Sequence, residues 1–159
     1  MKLAVYCDAS FDRHYKIAAL AYFVLTDVET PKLPDDEIKS TLIQSTSSAV
    51  SEVQALLWAI QQCRLRYPKI DRFCFYTDHR SLTNLAMRRS GIEKKQTLAN
   101  SLYSKYRELA VLLDQIHYEF IWTRGHRPTN TRNLNESIFH LVDKAARKYL
   151  RSSRKNIQA

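Results

Sequence analysis

Val5-Tyr6-Cys7-Asp8-Ala9-Ser10 and Phe75-Tyr76-Thr77-Asp78-His79-Arg80 share one plan: a β-prone run that gives way to an aspartate. Leu3 to Cys7 and Arg72 to Thr77 read as buried strands, the second short and rich in aromatic residues. If the two strands lie side by side and parallel, Asp8 and Asp78 stand at one edge, about 5 Å apart laterally. Two anions that close repel. Either one keeps a proton or a cation sits between them, and ligands that are all oxygen favour magnesium or manganese over zinc.

Whether the strands are parallel depends on what connects them. Ile17 to Leu25 is a second β-prone run, separated from the first by polar Ser10 to Lys16, which predicts a hairpin. Thr30 to Asp36, with Pro31 and Pro34, reads as a loop, and Leu42 to Thr46 as a third strand. From Ser51 to Arg66 the residues Val53, Leu56, Leu57 and Ile60 fall at helical spacing; Pro68 lies just beyond, and Ser47 or Ser48 offers the N-cap. After Arg72 to Thr77 come a basic segment, Arg88, Arg89, Lys94 and Lys95 around Gly91, and a helix from about Gln96 to Asp114. Tyr118 to Thr123 is a fifth strand, Arg124 to Asn135 a polar loop, and Ile138 to Leu150 a terminal helix. The order is β-β-β-α-β-α-β-α. Short connections suit an antiparallel meander, whereas crossovers through helices are right-handed and give parallel pairing. The expectation is an α/β fold: a mixed five-stranded sheet with helices on its faces.

The 159 residues hold no internal repeat, low-complexity tract or linker, and only two glycines and four prolines. One domain over residues 1–151, followed by a basic tail over 152–159, is the economical reading. Cys7, Cys63 and Cys74 form no C-x-x-C pair and lie in apolar runs, which suggests buried thiols in a reducing compartment, with neither disulfide nor zinc. No stretch has the length of a membrane span, and the apolar run before Asp8 lacks the length and flanks of a signal peptide, so the expected location is the cytoplasm. The formal charge is +9 and one-sided: residues 1–80 hold ten Lys/Arg against ten Asp/Glu, residues 81–159 fifteen against six. Such asymmetry is the footprint of a polyanion partner. Charge alone also permits a merely solubilising role, helped by Arg147, Lys148, Arg151, Arg154 and Lys155 near the C-terminus.

A third carboxylate, Glu52, lies beside the apolar stripe of the first helix, one residue before Val53 and four before Leu56, and should lean towards the sheet. Alone, it reads equally as a first-turn glutamate favoured by the helix dipole, and each aspartate as a turn residue or N-cap.

Together Asp8, Glu52 and Asp78, in that order and on those elements, resemble the ribonuclease H family, whose fold the predicted element order matches. The ending adds Trp122-Thr123-Arg124-Gly125-His126, then Asn135-Glu136, then Val142-Asp143-Lys144-Ala145-Ala146-Arg147. This is similar to the family's strand, Gly-His loop, Asn-Glu pair and aspartate-bearing helix. The resemblance implies a type 1 ribonuclease H that hydrolyses the RNA strand of RNA/DNA hybrids, leaving 5′-phosphate and 3′-hydroxyl ends. It implies two magnesium ions, with manganese as a substitute: Asp8 bridging both, Glu52 and Asp78 completing one, Asp143 holding the other. His126 would move protons or assist product departure, although it also reads as a surface-loop histidine. Ser10, Ser47 and Ser48 fall where relatives touch the minor groove and its 2′-hydroxyls, and Arg80 where many carry an amide. Arg88, Arg89, Lys94 and Lys95 resemble in position a basic protrusion that grips the DNA strand, or form a solvated charged turn. Trp58 and Trp122 read as core, and the partner picture is a monomer on a hybrid.

Two departures stand out. Relatives usually have glycine after the first aspartate and a glycine-rich hairpin, whereas here Ala9 follows and the hairpin has none. The Asn-Glu pair also stands further than usual from the last aspartate, which makes Glu136 an alternative to Asp143. These departures also suit a binding module that has lost catalysis, and the acids alone suit a superfamily nuclease acting on DNA.

Overall fold

A computed structural model of the chain describes residues 1–27, 32–34, 37–79, 100–123 and 132–158. In chain order the elements are β1 (Leu3–Asp12), β2 (Ile17–Thr26), β3 (Lys39–Gln44), α1 (Ser48–Arg66), β4 (Arg72–Thr77), α2 (Asn100–Leu113), β5 (His117–Trp122) and α3 (Leu134–Gln158). The expected β-β-β-α-β-α-β-α order is the observed one. The strands form one sheet in the order β3-β2-β1-β4-β5. β1, β2 and β3 are an antiparallel meander, while β1–β4 and β4–β5 are parallel, as helical crossovers require.

Helices cover both faces, so strand residues pointing either way are buried. In β2, Ile17, Ala19, Ala21, Phe23 and Leu25 meet α3, while Ala18 and Leu20 meet α1. This two-sided burial is why the segment reads as an unbroken apolar run and not as an alternation. The larger core lies on the α1/α2 face, where Leu3, Val5, Phe73 and Phe75 pack against Leu56, Leu57, Ile60, Leu109 and Leu113. The smaller core sets Tyr6, Phe23 and Leu25 against Ile138, Phe139, Val142 and Ala146 of α3.

The glycine-free hairpin closes on Asp12, whose Oδ1 accepts the backbone N–H groups of His14 (2.8 Å) and Tyr15 (2.9 Å). Lys16 takes the left-handed conformation, φ 54°, that glycine would otherwise supply. Ala9 does not have a positive φ, so an alanine costs nothing there. Cys7, Cys63 and Cys74 are buried free thiols.

Several boundaries differ from expectation. β1 runs on to Asp12 because its pairing with β2 continues, so Asp8 lies within a strand and not at its end. β3 is shifted to Lys39–Gln44, since Ser45 and Ser47 are needed at the start of α1. The terminal helix is not confined to Ile138–Leu150. It begins at Leu134, where Asn133 Oδ1 accepts the N–H of Glu136 (2.8 Å), and continues through residues 152–158, where Arg154 meets Asp12 at 3.2 Å. The first part of the helix expected from Gln96 falls on residues outside the described ones.

Ser47 is the N-cap of α1: its backbone is extended and its Oγ accepts Val50 N–H at 3.1 Å. Behind it, Ser51 Oγ donates to Ser47 O (2.7 Å) and shares a 2.7 Å hydrogen bond with Ser45 Oγ. Replacing Ser47 by Ala removes one cap bond. We expect a loss of about 1 kcal/mol in urea unfolding with an unchanged denaturant slope.

Candidate active site

Parallel pairing of β1 with β4 is in register from Leu3↔Phe73 to Tyr6↔Tyr76. Continued by two residues, this register sets Asp8, within β1, opposite Asp78, just past the carboxyl end of β4, while β1 pairs on its other edge with β2 and β4 with β5. Such a divergence point is where open α/β sheets form crevices. Asp8 pairs across β1–β2 with Ala21, whose side chain faces α3, so Asp8 points to that layer. Glu52 comes from α1 on the other layer. Because α1 begins at Ser48, Glu52 lies beyond its first turn, where the helix dipole has faded.

Asp8, Glu52 and Asp78 converge, with one carboxylate oxygen from each lying within 4.8 Å of the others. Asp143, on α3, stands close enough to Asp8 to raise its proton affinity, and also holds Arg147 at 2.7 Å, one turn on. Of Asp143, the expected fourth ligand, and Glu136, its alternative, Asp143 is the one that raises the proton affinity of Asp8. Glu136 sits in the first turn of α3, at the cap formed by Asn133, and the adjacent Asn135 accepts Tyr6 O–H at 2.6 Å.

At an effective dielectric of about 20, two unit charges at this separation repel by about 3 kcal/mol. Three such pairs would oppose much of the 5–15 kcal/mol or so by which a domain is stable. The cluster responds by holding protons. Burial, then Glu52 and Asp78, then the hydrogen bond to Asp143 push the Asp8 carboxyl well above the usual carboxylate range. Burial, followed by the charge of Asp78, raises Glu52 to about 8, against the lowering effect of its hydrogen bond with Asp8. Carboxyl-to-carboxyl hydrogen bonds need such protons, and a divalent cation bound by the same oxygens would replace them. The donor set is all oxygen, compact and anionic, which fits a hard divalent ion and does not fit zinc in a thiolate or imidazole site.

The turn after β4 is fastened from three sides. Thr77 O accepts Thr123 N–H (2.8 Å), Thr77 Oγ1 accepts His79 N–H (3.1 Å), and Trp122 Nε1 donates to Asp78 O (3.2 Å). Trp122 is therefore not a core residue, being 37% exposed and anchored through its N–H. Trp58 is half-buried and meets Tyr22 edge to face, with ring centroids 4.8 Å apart. Sequence reading missed this indole contact, as it missed the tie of Tyr6 to Asn135; the Asp143–Arg147 pair was visible as an i, i+4 spacing.

Of the expected contact residues, Ser10 lies on β1 two residues past Asp8, and Ser47 and Ser48 stand at the start of α1, one turn before Glu52. His140, on α3, lines the same groove as Ser10, and burial, then Arg132, lowers its pKa. His126, Arg80, Arg88, Arg89, Lys94 and Lys95 lie outside the described residues. Among the described residues no helix is long and apolar enough to cross a membrane.

A five-stranded sheet of this order, with acids facing each other across its central parallel pair, has the architecture of the ribonuclease H-like fold. Solved structures agree. RNase H1 from the halophilic archaeon Halobacterium salinarum NRC-1 superposes with a TM-score of 0.66 at 16% identity, over 96% of this chain and 99% of that one. LC11-RNase H1, solved in complex with RNA/DNA hybrid, gives 0.60 at 16% identity, over 93% and 99%. The protease-reverse transcriptase of prototype foamy virus gives 0.67 at 20% identity, over 92% of this chain and 20% of that much longer one. No curated protein sequence matches the chain. Residues 33–132 match the profile of the reverse transcriptase-like family, and the chain belongs to this branch of the ribonuclease H family.

The protonated cluster sets the pH dependence of the metal-free protein. Groups whose folded pKa is raised bind more protons folded than unfolded, so stability is highest below the unfolded carboxylate pKa and falls as pH rises towards the folded one. In chelator, the thermal midpoint should drop between about pH 4.5 and about pH 8, the level of Glu52. Glu52→Gln should flatten that drop, and an equal slope in wild type and variant would contradict the assignment.

Proposed function

We propose that this protein is a metal-dependent endoribonuclease that hydrolyses the RNA strand of RNA/DNA hybrids, leaving 5′-phosphate and 3′-hydroxyl ends. The observation that carries the reading is the convergence of Asp8, Glu52 and Asp78, with ligand oxygens within 4.8 Å of one another; Asp143, on the facing helix, adds to the raised proton affinity of Asp8. Asp8, Glu52 and Asp78 would hold one divalent ion, and Asp8 with Asp143 a second. When bound, two magnesium ions, or manganese in their place, supply an activated water and stabilise the departing 3′ oxygen. No side-chain nucleophile is needed, so the work of the chain is to hold, orient and exchange protons.

The backbone ties of Thr77 and Trp122 keep the Asp78 carboxylate aimed at its partners, and the serine network beneath Ser47 does the same for the helix bearing Glu52. Ser10, Ser47 and Ser48 meet the minor groove, where the 2′-hydroxyl marks the RNA strand. Arg88, Arg89, Lys94 and Lys95 grip the DNA strand, and Arg80 adds a further nucleic-acid contact. His126 carries a proton to or from the departing group, since imidazole exchanges protons near neutral pH. The active species is a monomer in the cytoplasm. Support comes from the fold shared with LC11-RNase H1, which was solved with a hybrid bound.

The test is cleavage of end-labelled RNA/DNA hybrid, duplex RNA, single-stranded RNA and duplex DNA, in magnesium, manganese and chelator. We expect internal cuts confined to the RNA of the hybrid and absent in chelator. Asp78→Asn, still folded by circular dichroism, should lose at least about a hundredfold in rate. Undiminished activity in that variant would refute the metal assignment, and cleavage of duplex DNA would refute the substrate assignment.

A further inference from the structure

Between α3 and the last part of β1 runs a groove of about 480 Å³, lined by Ser10 and Phe11 on one wall and by Lys144, Arg147, Arg151 and Arg154 on the other. Spacings of three, four and three place these cations in one stripe along the helix, beside the apolar stripe that packs on the sheet. The β1 wall of the groove starts two residues past Asp8 and its α3 wall runs from His140 to Arg154, on both sides of Asp143, so the groove adjoins the carboxylate cluster. From Lys144 to Arg154 the helix rises about 15 Å.

Two of the cations are committed: Arg147 to Asp143 at 2.7 Å and Arg154 to Asp12 at 3.2 Å. Among the described residues Lys144 and Arg151 have no acidic partner. The arrangement is unfavourable by itself. Lys144–Lys148, Arg147–Arg151 and Arg151–Lys155 at i, i+4, and Lys144–Arg147, Lys148–Arg151 and Arg151–Arg154 at i, i+3, are like-charge pairs that weaken a helix. The helix dipole does not account for them, because its pull on cations is confined to the last turn, whereas Lys144 and Arg147 lie ten or more residues before Gln158.

We infer that this groove is a phosphate track, which seats the sugar–phosphate backbone of a nucleic-acid strand running on past the carboxylate cluster. About 15 Å of axis spans about four phosphates of one duplex strand, enough to occupy Lys144 and Arg151 in succession. The choice of polynucleotide rests on the nuclease reading, while the groove and its charges do not.

The test is a salt titration of binding. Fluorescein-labelled RNA/DNA hybrid of about 24 base pairs, long enough to overrun the track, is followed by anisotropy in chelator, so that no cleavage is needed. Lys144→Gln combined with Arg151→Gln should reduce the slope of log affinity against log salt by about 1.8, two phosphates at about 0.9 each. Lys39→Gln combined with Lys69→Gln removes the same charge from exposed positions elsewhere and should change the slope by less than half as much. The groove variant should also melt no lower than wild type, since it relieves like-charge crowding. An unchanged slope, an equal change in both variants, or failure of wild type to bind any polynucleotide overturns the track. A reduced slope in a protein that cuts nothing upholds the track and refutes the nuclease reading; hybrid cleavage with an unchanged slope does the reverse.

Discussion

Mutual repulsion among buried carboxylates is the constraint around which the rest of this molecule is arranged. Asp8, Glu52 and Asp78 come from three elements, and each would separate from the others if its backbone were free to move. Position is imposed by structures that cost more to distort than the repulsion returns. A parallel strand register sets Asp8 against Asp78, a serine-capped helix brings in Glu52, and a helix packed across β1, β2 and β3 brings in Asp143. The raised proton affinities of Asp8 and Glu52 are the electrostatic record of that imposition.

The two cores serve this task differently. On the α1/α2 face, large aromatic and aliphatic side chains stack against one another, with Phe73 and Phe75 ring centroids 5.6 Å apart, which stiffens the strand that ends at Asp78. On the α3 face the core is smaller and polar groups begin within it. Tyr6 lies flat on Tyr76 at 4.5 Å and points its hydroxyl at Asn135, so an aromatic pair forms the floor beside the site. The transition from apolar packing to hydrogen bonding along this face occurs over the single step from Tyr6 to Asp8.

Much of this was legible because the determinants are local. The short Arg72 to Thr77 strand was bounded correctly by its aromatic run, and the acids were legible because each stands next to a β-prone run or a helical stripe. What escaped depended on tertiary partners. The start of α3 was placed late because Asn133 looked like loop, although Asn133 with Glu136 three residues on is a capping pattern. Its end was placed early because a string of basic residues without apolar spacing looks like a solvated tail, whereas Arg154 finds Asp12 more than a hundred residues away. Trp122 reads as core because it lies inside a regular element; its anchoring role depends on the carbonyl of Asp78, which only the parallel register brings near.

α3 is tied to β1 near both of its ends, through Asn135 to Tyr6 at 2.6 Å and through Arg154 to Asp12 at 3.2 Å. Both ties are made from a single uninterrupted helix, in which each residue advances the direction of the side chains by about 100°. One residue inserted or deleted between them would swing Arg154 off Asp12 and wind the basic stripe away from Ser10, even if every other residue kept its identity. This interval therefore acts as a ruler. Its side chains can be exchanged at many positions, but its length is set by the strand it is measured against.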